Sequence, residues 1–190
     1  EQGRYDEAEP LLRRALAIYE DAFGPDHPNT ATTLGNLGDV LRGQGHYDEA
    51  EPLYRRALAI TEDAFGPDHP NTAATLNYLG DVLRGQGRYD EAEPLLRRAL
   101  TITEDAFGPD HPRTAAALNN LGNVLREQGR YDEAEPLLRR ALAITEDAFG
   151  PDHPNTAQTL NNLGNLLQEQ GRYDEAEPLL RRALAIYEDA

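Results

Sequence analysis

Apolar residues recur at helical spacing in two neighbouring segments of the chain, as residues 70–108 illustrate. In the first segment, Leu76, Leu79 and Leu83 fall at positions i, i+3 and i+7, which places them on one narrow face of a helix. In the second segment, helical spacing holds for Ala92, Leu95, Leu96, Ala99, Leu100, Ile102, Ala106 and Phe107. The pattern therefore predicts a shorter helix A followed by a longer helix B, each with one apolar face.

Helix A of this stretch is predicted over 70–84, because a proline suits its first turn and Asp68 or His69 lies near the cap. Either Gly85 or Gly87 can end it in the left-handed conformation.

Helix B is predicted to begin near Asp90, whose carboxylate can cap the first backbone N–H groups. It then runs to Gly108 and Pro109, which end it.

The whole chain repeats this helix pair with a period of 42 residues. The blocks that begin at Gly3 and Gly45 differ at six of 42 positions, and the strings AFGPDHP and YDEAEP recur throughout. We therefore expect a single repeat array over 1–190 with nine helices in the order B, A, B, A, B, A, B, A, B. Its predicted parts are a half repeat with helix B only at 1–27, and units of helix A plus helix B at 28–69, 70–111, 112–153 and 154–190.

Neighbouring helix pairs must stack, because neither helix of a single pair can bury its apolar face completely. A glycine within each helix A costs about 0.5–1 kcal/mol relative to alanine. Close approach of helix A to its partner helix B, with no Cβ between the backbones, accounts for this repeated cost. These glycines are Gly38, Gly80, Gly122 and Gly164. The sequence thus predicts an all-α fold, an α-solenoid.

Composition removes several kinds of chemistry. The 190 residues include no cysteine and no serine, and all 18 basic residues are arginine. Disulfides, thiolate sites, P-loops and Schiff-base lysines are therefore excluded. The formal charge of −16 favours basic or neutral partners and disfavours nucleic acid and anionic membranes.

No apolar run approaches the roughly 20 residues of a membrane span, and no signal peptide is visible, so we expect a cytoplasmic location.

Helix A and the start of helix B resemble the tetratricopeptide (TPR) repeat. The matching positions are Leu79, Gly80, Leu83, Gly87, Ala92, Leu96, Ala99 and Leu100, and they recur at Leu121, Gly122, Leu125, Gly129, Ala134, Leu138, Ala141 and Leu142. The 42-residue length, LNNLG, YDEAEPLLRRAL and the DHP turn are similar to the repeats of kinesin light chains and large bacterial arrays. The resemblance covers all 190 residues. It implies a right-handed superhelix of stacked antiparallel helix pairs, whose concave wall is lined by A helices and binds extended peptides.

Two features depart from the families that the chain resembles. Glu104 stands where the ordinary 34-residue repeat has its closing proline, in keeping with a longer helix B. The strong negative charge also argues against carrying over the preference of kinesin light chains for peptides with acidic flanks.

The family geometry implies a row of groove-facing positions on each helix A, called here the groove row. A ladder of asparagines can hydrogen-bond the backbone of an extended peptide, or these residues can solvate the wall and bond neighbouring helices. Tyr78, the one aromatic residue of the row, either stacks on a ligand residue or is an isolated surface tyrosine. Three of the six differences between the first two blocks fall in this row. The predicted peptide-binding residues are Asn36, Asp39, Arg42, Asn77, Tyr78, Asp81, Arg84, Asn119, Asn120, Asn123, Arg126, Asn161, Asn162 and Asn165, and the row is completed by Thr32, Gly35, Ala74, Ala116, Gln158 and Gln168.

An aspartate–histidine pair lies in every PDHP turn and could supply metal ligands or a general base. Each pair lies a whole repeat from the next, so no two converge, and we expect the histidines to shape the turn. An active site needs unlike groups that converge once, so we expect no enzyme and no catalytic, cofactor or metal site. The histidines are His27, His69, His111 and His153.

We therefore expect a non-enzymatic scaffold that binds a basic or neutral, extended peptide or protein on an acidic, Asn-lined concave groove. The chain begins at Glu1 without Met and in mid-pattern, so we expect a fragment or a processed form of a longer chain. One alternative is a self-associating array, a homo-oligomer formed through uncapped ends. Another is an excised or consensus-derived repeat without its own ligand. Apolar residues expected to be exposed at the ends are Leu11, Leu12, Leu16, Ile18, Leu184, Ile186 and Tyr187.

Overall fold

The computed structural model describes residues 2–189, with side chains from residue 4, and this part of the chain forms nine α-helices without a strand. They are α1 (Gln2–Phe23), α2 (Pro28–Gly43), α3 (Tyr47–Phe65), α4 (Pro70–Gly85), α5 (Tyr89–Phe107), α6 (Pro112–Glu127), α7 (Tyr131–Phe149), α8 (Pro154–Glu169) and α9 (Tyr173–Glu188). Odd-numbered helices are the B helices and even-numbered helices are the A helices. The predicted order and the all-α fold of consecutive helix pairs are therefore confirmed.

Each helix A begins directly after the histidine of its PDHP turn. His69 is the N-cap residue of α4, and its Nδ1 accepts a hydrogen bond from the backbone N–H of Asn71 at 3.1 Å. Its imidazole also stacks on the ring of Phe65, with 5.0 Å between centroids. The prediction that these histidines shape the turn is confirmed, because the same cap recurs at His27, His111 and His153.

The predicted end of helix A is confirmed, whereas the predicted cap of helix B is not. Gly85 is the last residue of α4, and Gly87 adopts the left-handed conformation with φ of 75°. Helix α5 begins at Tyr89, so Asp90 lies within its first turn. In the equivalent helix α7 the N-cap is Arg130, whose side chain makes no capping hydrogen bond. The prediction that an aspartate occupies the cap of helix B is therefore wrong, and its charge lies instead near the positive end of the helix dipole.

The chain divides into two compact units, Glu1–Ile102 and Thr103–Ala190, with the boundary inside α5. In the first unit, Leu76 of α4 and Ile102 of α5 share a core cluster against which Leu58 of α3 packs. Helix A therefore buries its apolar face against its own helix B and the preceding one, as the stacking argument requires. The equivalent cluster of the second unit contains Ala157, Leu160, Ala183 and Ile186, with Leu142 and Leu179 packed against it.

The glycine within each helix A makes room for a side chain of the following helix B. A Cβ built on Gly80 would lie 2.6 Å from Cδ2 of Leu96, and one on Gly38 would lie 2.6 Å from Cε2 of Tyr54. These glycines therefore do lie close to helix B, but the prediction that backbone approaches backbone is wrong, because a side chain of helix B occupies the space. The same relation joins Gly122 to Leu138 and Gly164 to Leu180.

Candidate functional site

The groove row lies on the side of each helix A away from the leucine core. Leu76, Leu79 and Leu83 are at most 1% exposed, whereas every residue of the groove row is half-buried or exposed. Helical spacing accounts for this, because it turns the row and the leucines to different faces. Half-buried asparagines of the row include Asn77, Asn120, Asn123, Asn161 and Asn165.

Part of the groove row forms a cleft in the first unit, with a volume of about 370 Å³. This first-unit cleft is lined by Gly35 and Asp39 of α2, by Tyr78 of α4, and by Tyr54 and Phe65 of α3. The structure thus brings row positions from two successive A helices together with helix B residues outside the row. Further lining residues from the row are Thr32, Asn36 and Ala74.

Tyr54 is one of the lining residues that the groove prediction missed. It is 1% exposed and stands where the other repeats have leucine, as at Leu96. Its hydroxyl donates to Oδ1 of Asp39 at 2.8 Å, and its ring stacks on Tyr78 with 5.7 Å between centroids. Burial, reinforced by the Asp39 carboxylate, raises the pKa of the Tyr54 phenol, so the hydroxyl stays a neutral donor. The departure from leucine was the sequence signal that could have identified it.

An ion-pair network holds the charged residues of the row and links α2 to α4. Arg42 donates to Asp81 at 2.6 Å and to Asp39 at 3.2 Å, and Arg84 donates to Asp81 at 2.7 Å. Burial would lower the pKa of the Arg42 guanidinium, but the carboxylates of Asp81 and Asp39 outweigh this effect and raise it. The network therefore fixes the position of Asp39 in the wall of the first-unit cleft.

In the second unit, two asparagines of the row bond to a neighbouring helix. Asn119 of α6 donates through Nδ2 to Oγ1 of Thr159 on α8 at 2.9 Å, and its Oδ1 accepts from Nδ2 of Asn162 at 3.2 Å. For these two residues, the structure agrees with the hypothesis of bonds between helices. Asn119 corresponds to Gly35 of α2, at which a Cβ would meet nothing within 4 Å. On the same helix, Arg126 pairs with Glu127 at 2.7 Å.

Within residues 2–189, no group of three or more His, Asp or Glu residues is arranged to hold a metal ion. The helices described by the structure include none that is long and apolar enough to cross a membrane. The groove row itself presents carboxamides, paired charges and the Tyr78 ring, which stacks on Tyr54 of α3.

The first and last described helices expose part of their apolar faces. Leu11 is 67% exposed and Leu184 is 56% exposed, as expected, and Ile18 and Tyr187 are exposed as well. Ile186 is only 6% exposed because it packs in a core cluster of the second unit, so the prediction for this residue is wrong. Half-buried positions are found at Leu12 and Leu16.

Comparisons of the sequence and of the structure with known proteins point to the same family of repeat proteins. The tetratricopeptide repeat model matches residues 1–63, 44–105, 73–147 and 113–189. The chain is 26% identical to the nearly identical TPR-like repeats assigned to a kinesin light chain of Podosopora anserina, with a TM-score of 0.79 and coverage of 97% of this chain and 87% of that chain. It is also 26% identical to BtubC (BKLC) from P. vanneervenii, with a TM-score of 0.79 and coverage of 98% and 74%.

A likeness of fold alone extends to a Rap protein complexed with Competence and Sporulation Factor. That structure is 20% identical, with a TM-score of 0.82 and coverage of 99% of this chain and 51% of that chain. No curated protein sequence matches the chain.

Proposed function

Because the chain belongs to the tetratricopeptide repeat family, we propose that it is a non-enzymatic scaffold whose A-helix surfaces bind an extended peptide or protein partner. Repeats of this family typically mediate protein–protein interaction. The first-unit cleft is the observation that carries the proposal, since it joins exposed row positions of α2 and α4 into one concave surface.

The partner is basic or neutral, because a chain of charge −16 repels anions. Exposed Asn36 offers two donors and one acceptor to the backbone of an extended peptide. Asn119 and Asn162 are engaged with each other, so they contribute less than the ladder hypothesis requires. The peptide contacts therefore concentrate on α2 and α4.

The experiment compares two identical substitutions at exposed alanines of the first unit. Ala74 lines the first-unit cleft, whereas Ala59 is exposed on α3 and does not line it. Peptides are selected from a displayed library of unconstrained peptides on the wild-type protein and measured against Ala74→Arg and Ala59→Arg. Both variants gain the same charge, so a general effect of charge would be equal in both. We expect only Ala74→Arg to weaken binding, because only this side chain lies at the first-unit cleft. Equal loss in both variants, or a library that yields no binder, would contradict the proposal.

Self-association is a second candidate function, favoured by exposed Leu11 on α1 and Leu184 on α9. Exposed apolar patches mark contact surfaces, and a contact between unlike ends can propagate without closing. Sedimentation velocity over a wide concentration range should then show increasing mass for the wild type. The double variant Leu11→Gln, Leu184→Gln should stay monomeric. A wild-type protein that is monomeric at every concentration would rule this function out.

A further inference from the structure

Three residues that depart from the repeat meet in the first-unit cleft. Gly35 stands where the other A helices have asparagine, Tyr54 stands where the other B helices have leucine, and Tyr78 stands where the other A helices have asparagine. Folding brings these three positions, which lie on three different helices, to the lining of one cleft. The cleft therefore has a composition that the repeat itself does not supply elsewhere in the chain.

Each departure changes the cleft in a physical way. Gly35 leaves open space, because a Cβ there would meet nothing within 4 Å. Tyr54 is buried below and directs its hydroxyl to Asp39 at 2.8 Å. Tyr78 stacks on Tyr54 and is still 43% exposed. Together they produce an open volume beside an accessible aromatic ring and a positioned carboxylate.

The charge of the lining favours a cationic occupant. Among the described residues that line the cleft, Asp39 supplies a carboxylate and no arginine or histidine is present. Its side chain is 41% exposed although it also bonds to Arg42. An apolar occupant would remove the exposed part of this carboxylate from water without replacing the hydrogen bonds of water, which is unfavourable, whereas a cationic donor would replace them. A cation over a tyrosine ring gains from the ring quadrupole as well.

We infer that the first-unit cleft is a subsite for one arginine side chain of the partner, an inference that rests on the proposed peptide-binding function. A guanidinium is planar, so it can lie against the Tyr78 ring while its N–H groups donate to Asp39 and to the side-chain oxygen of Asn36. Its aliphatic stem then contacts the apolar part of the lining, which includes Phe65. Lysine lacks the planar fork and is the weaker occupant.

The test uses the smallest probe of the subsite. N-acetyl-arginine amide is titrated into the protein labelled at tyrosine, and the ring resonances of Tyr54 and Tyr78 are followed by NMR. N-acetyl-citrulline amide, which has the same shape without the charge, is the matched probe. We expect the arginine probe to shift both rings and to bind about three- to tenfold more tightly than the citrulline probe. No shift, or equal affinity for both probes, would overturn the inference.

The double variant Gly35→Asn, Tyr78→Asn tests whether the preference for the arginine probe comes from the first-unit cleft or from the net charge of the chain. It keeps the charge of −16 and places at both positions the residue type that α6 and α8 carry at Asn119 and Asn162. Circular dichroism and thermal melting verify that it folds. We expect the arginine probe to lose its preference over citrulline, and a preference that persists contradicts the inference.

Binding of the probes and binding of selected peptides, taken together, distinguish the arginine subsite from the peptide-binding groove. If the arginine probe binds as expected but flanking peptide residues add no affinity, the subsite stands and the proposed peptide-binding function fails. If selected peptides bind and replacing each arginine by citrulline has no effect, the function stands and the arginine subsite fails.

Discussion

Gly38 and Tyr54 are complementary across the first helix pair, since a Cβ on Gly38 would lie 2.6 Å from Cε2 of the tyrosine ring. The ring is 1% exposed and cannot move outward without losing its contacts in the core. Its hydroxyl also holds Asp39 in the wall of the first-unit cleft. The glycine therefore positions a residue of the candidate site as well as a residue of the core.

Alanine substitutions at two glycines of α2 should have opposite effects on stability. Gly38→Ala forces the Tyr54 ring to shift, and overpacking of this kind costs about 1–3 kcal/mol. Gly35→Ala meets no atom within 4 Å and should stabilise the helix by about 0.5–1 kcal/mol. Urea unfolding monitored by circular dichroism measures both. A destabilised Gly35→Ala protein would show that the space beside this glycine is not open.

The histidine caps can be separated from the histidine stacking contacts. His69→Ala removes both the bond to the Asn71 N–H and the stack on Phe65, and loss of a cap costs about 1 kcal/mol. His69→Asn keeps a side-chain acceptor at the cap and removes only the stack. We expect the asparagine variant to recover most of the stability in urea unfolding. Equal losses would mean that stacking, rather than capping, is the main contribution of the histidine.

Two adjacent arginines of α5 should differ in their contribution to the stability of the fold, because they have different partners. Arg98 donates to Glu62 and to the carbonyl of Pro67, both at 2.6 Å, and so links α5 to the preceding helix B and its turn. Arg97 pairs with Glu93 one turn earlier in the same helix, and a pair at this spacing contributes only tenths of a kcal/mol. Arg98→Lys should therefore lower the urea midpoint more than Arg97→Lys. The reverse order would contradict a linking role for Arg98.

Part of the acid sensitivity of the fold should arise at Glu51, whose side chain is 15% exposed. Burial alone would raise the pKa of this carboxyl, but hydrogen bonds from Arg55, Arg88 and Gln86 outweigh burial and lower the pKa from 4.5 to about 2. A depressed pKa in the folded state means that the stabilisation is present above pH 4.5 and is lost as the pH falls toward 2. The upper limit of this contribution is about 3 kcal/mol.

Urea unfolding at pH 7 and pH 3 tests this dependence. Glu51→Gln should lower the free energy of unfolding at pH 7 and should show a smaller further decrease at pH 3 than the wild type. Asp63→Asn, which removes a carboxylate from an exposed position of the same helix, is the matched control and should follow the wild-type profile. A Glu51→Gln protein with the wild-type pH dependence would exclude Glu51 as the source.

The candidate site was predictable only in part. The family geometry implied that Asn36, Asp39 and Tyr78 lie on the groove-facing side of the A helices, and in the structure Asn36 and Tyr78 are exposed and Asp39 is half-buried. It did not indicate that Tyr54 of α3 reaches Asp39, because that contact depends on how two helices pack. It also left open whether the asparagines bond to one another, as Asn119 and Asn162 do across 3.2 Å.

The amino-acid sequence by itself determined the repeat, the helix pairs and the leucine faces that stack, because each depends on spacing along a regular helix. It also placed a histidine at each turn, where its Nδ1 needs only a backbone N–H two residues away. Only the tertiary structure decided that Gly35, Tyr54 and Tyr78 line one cleft. The physical reason is that side chains from different helices meet only through packing, so one repeat pattern yields a linked asparagine pair in the second unit and an open aromatic cleft in the first.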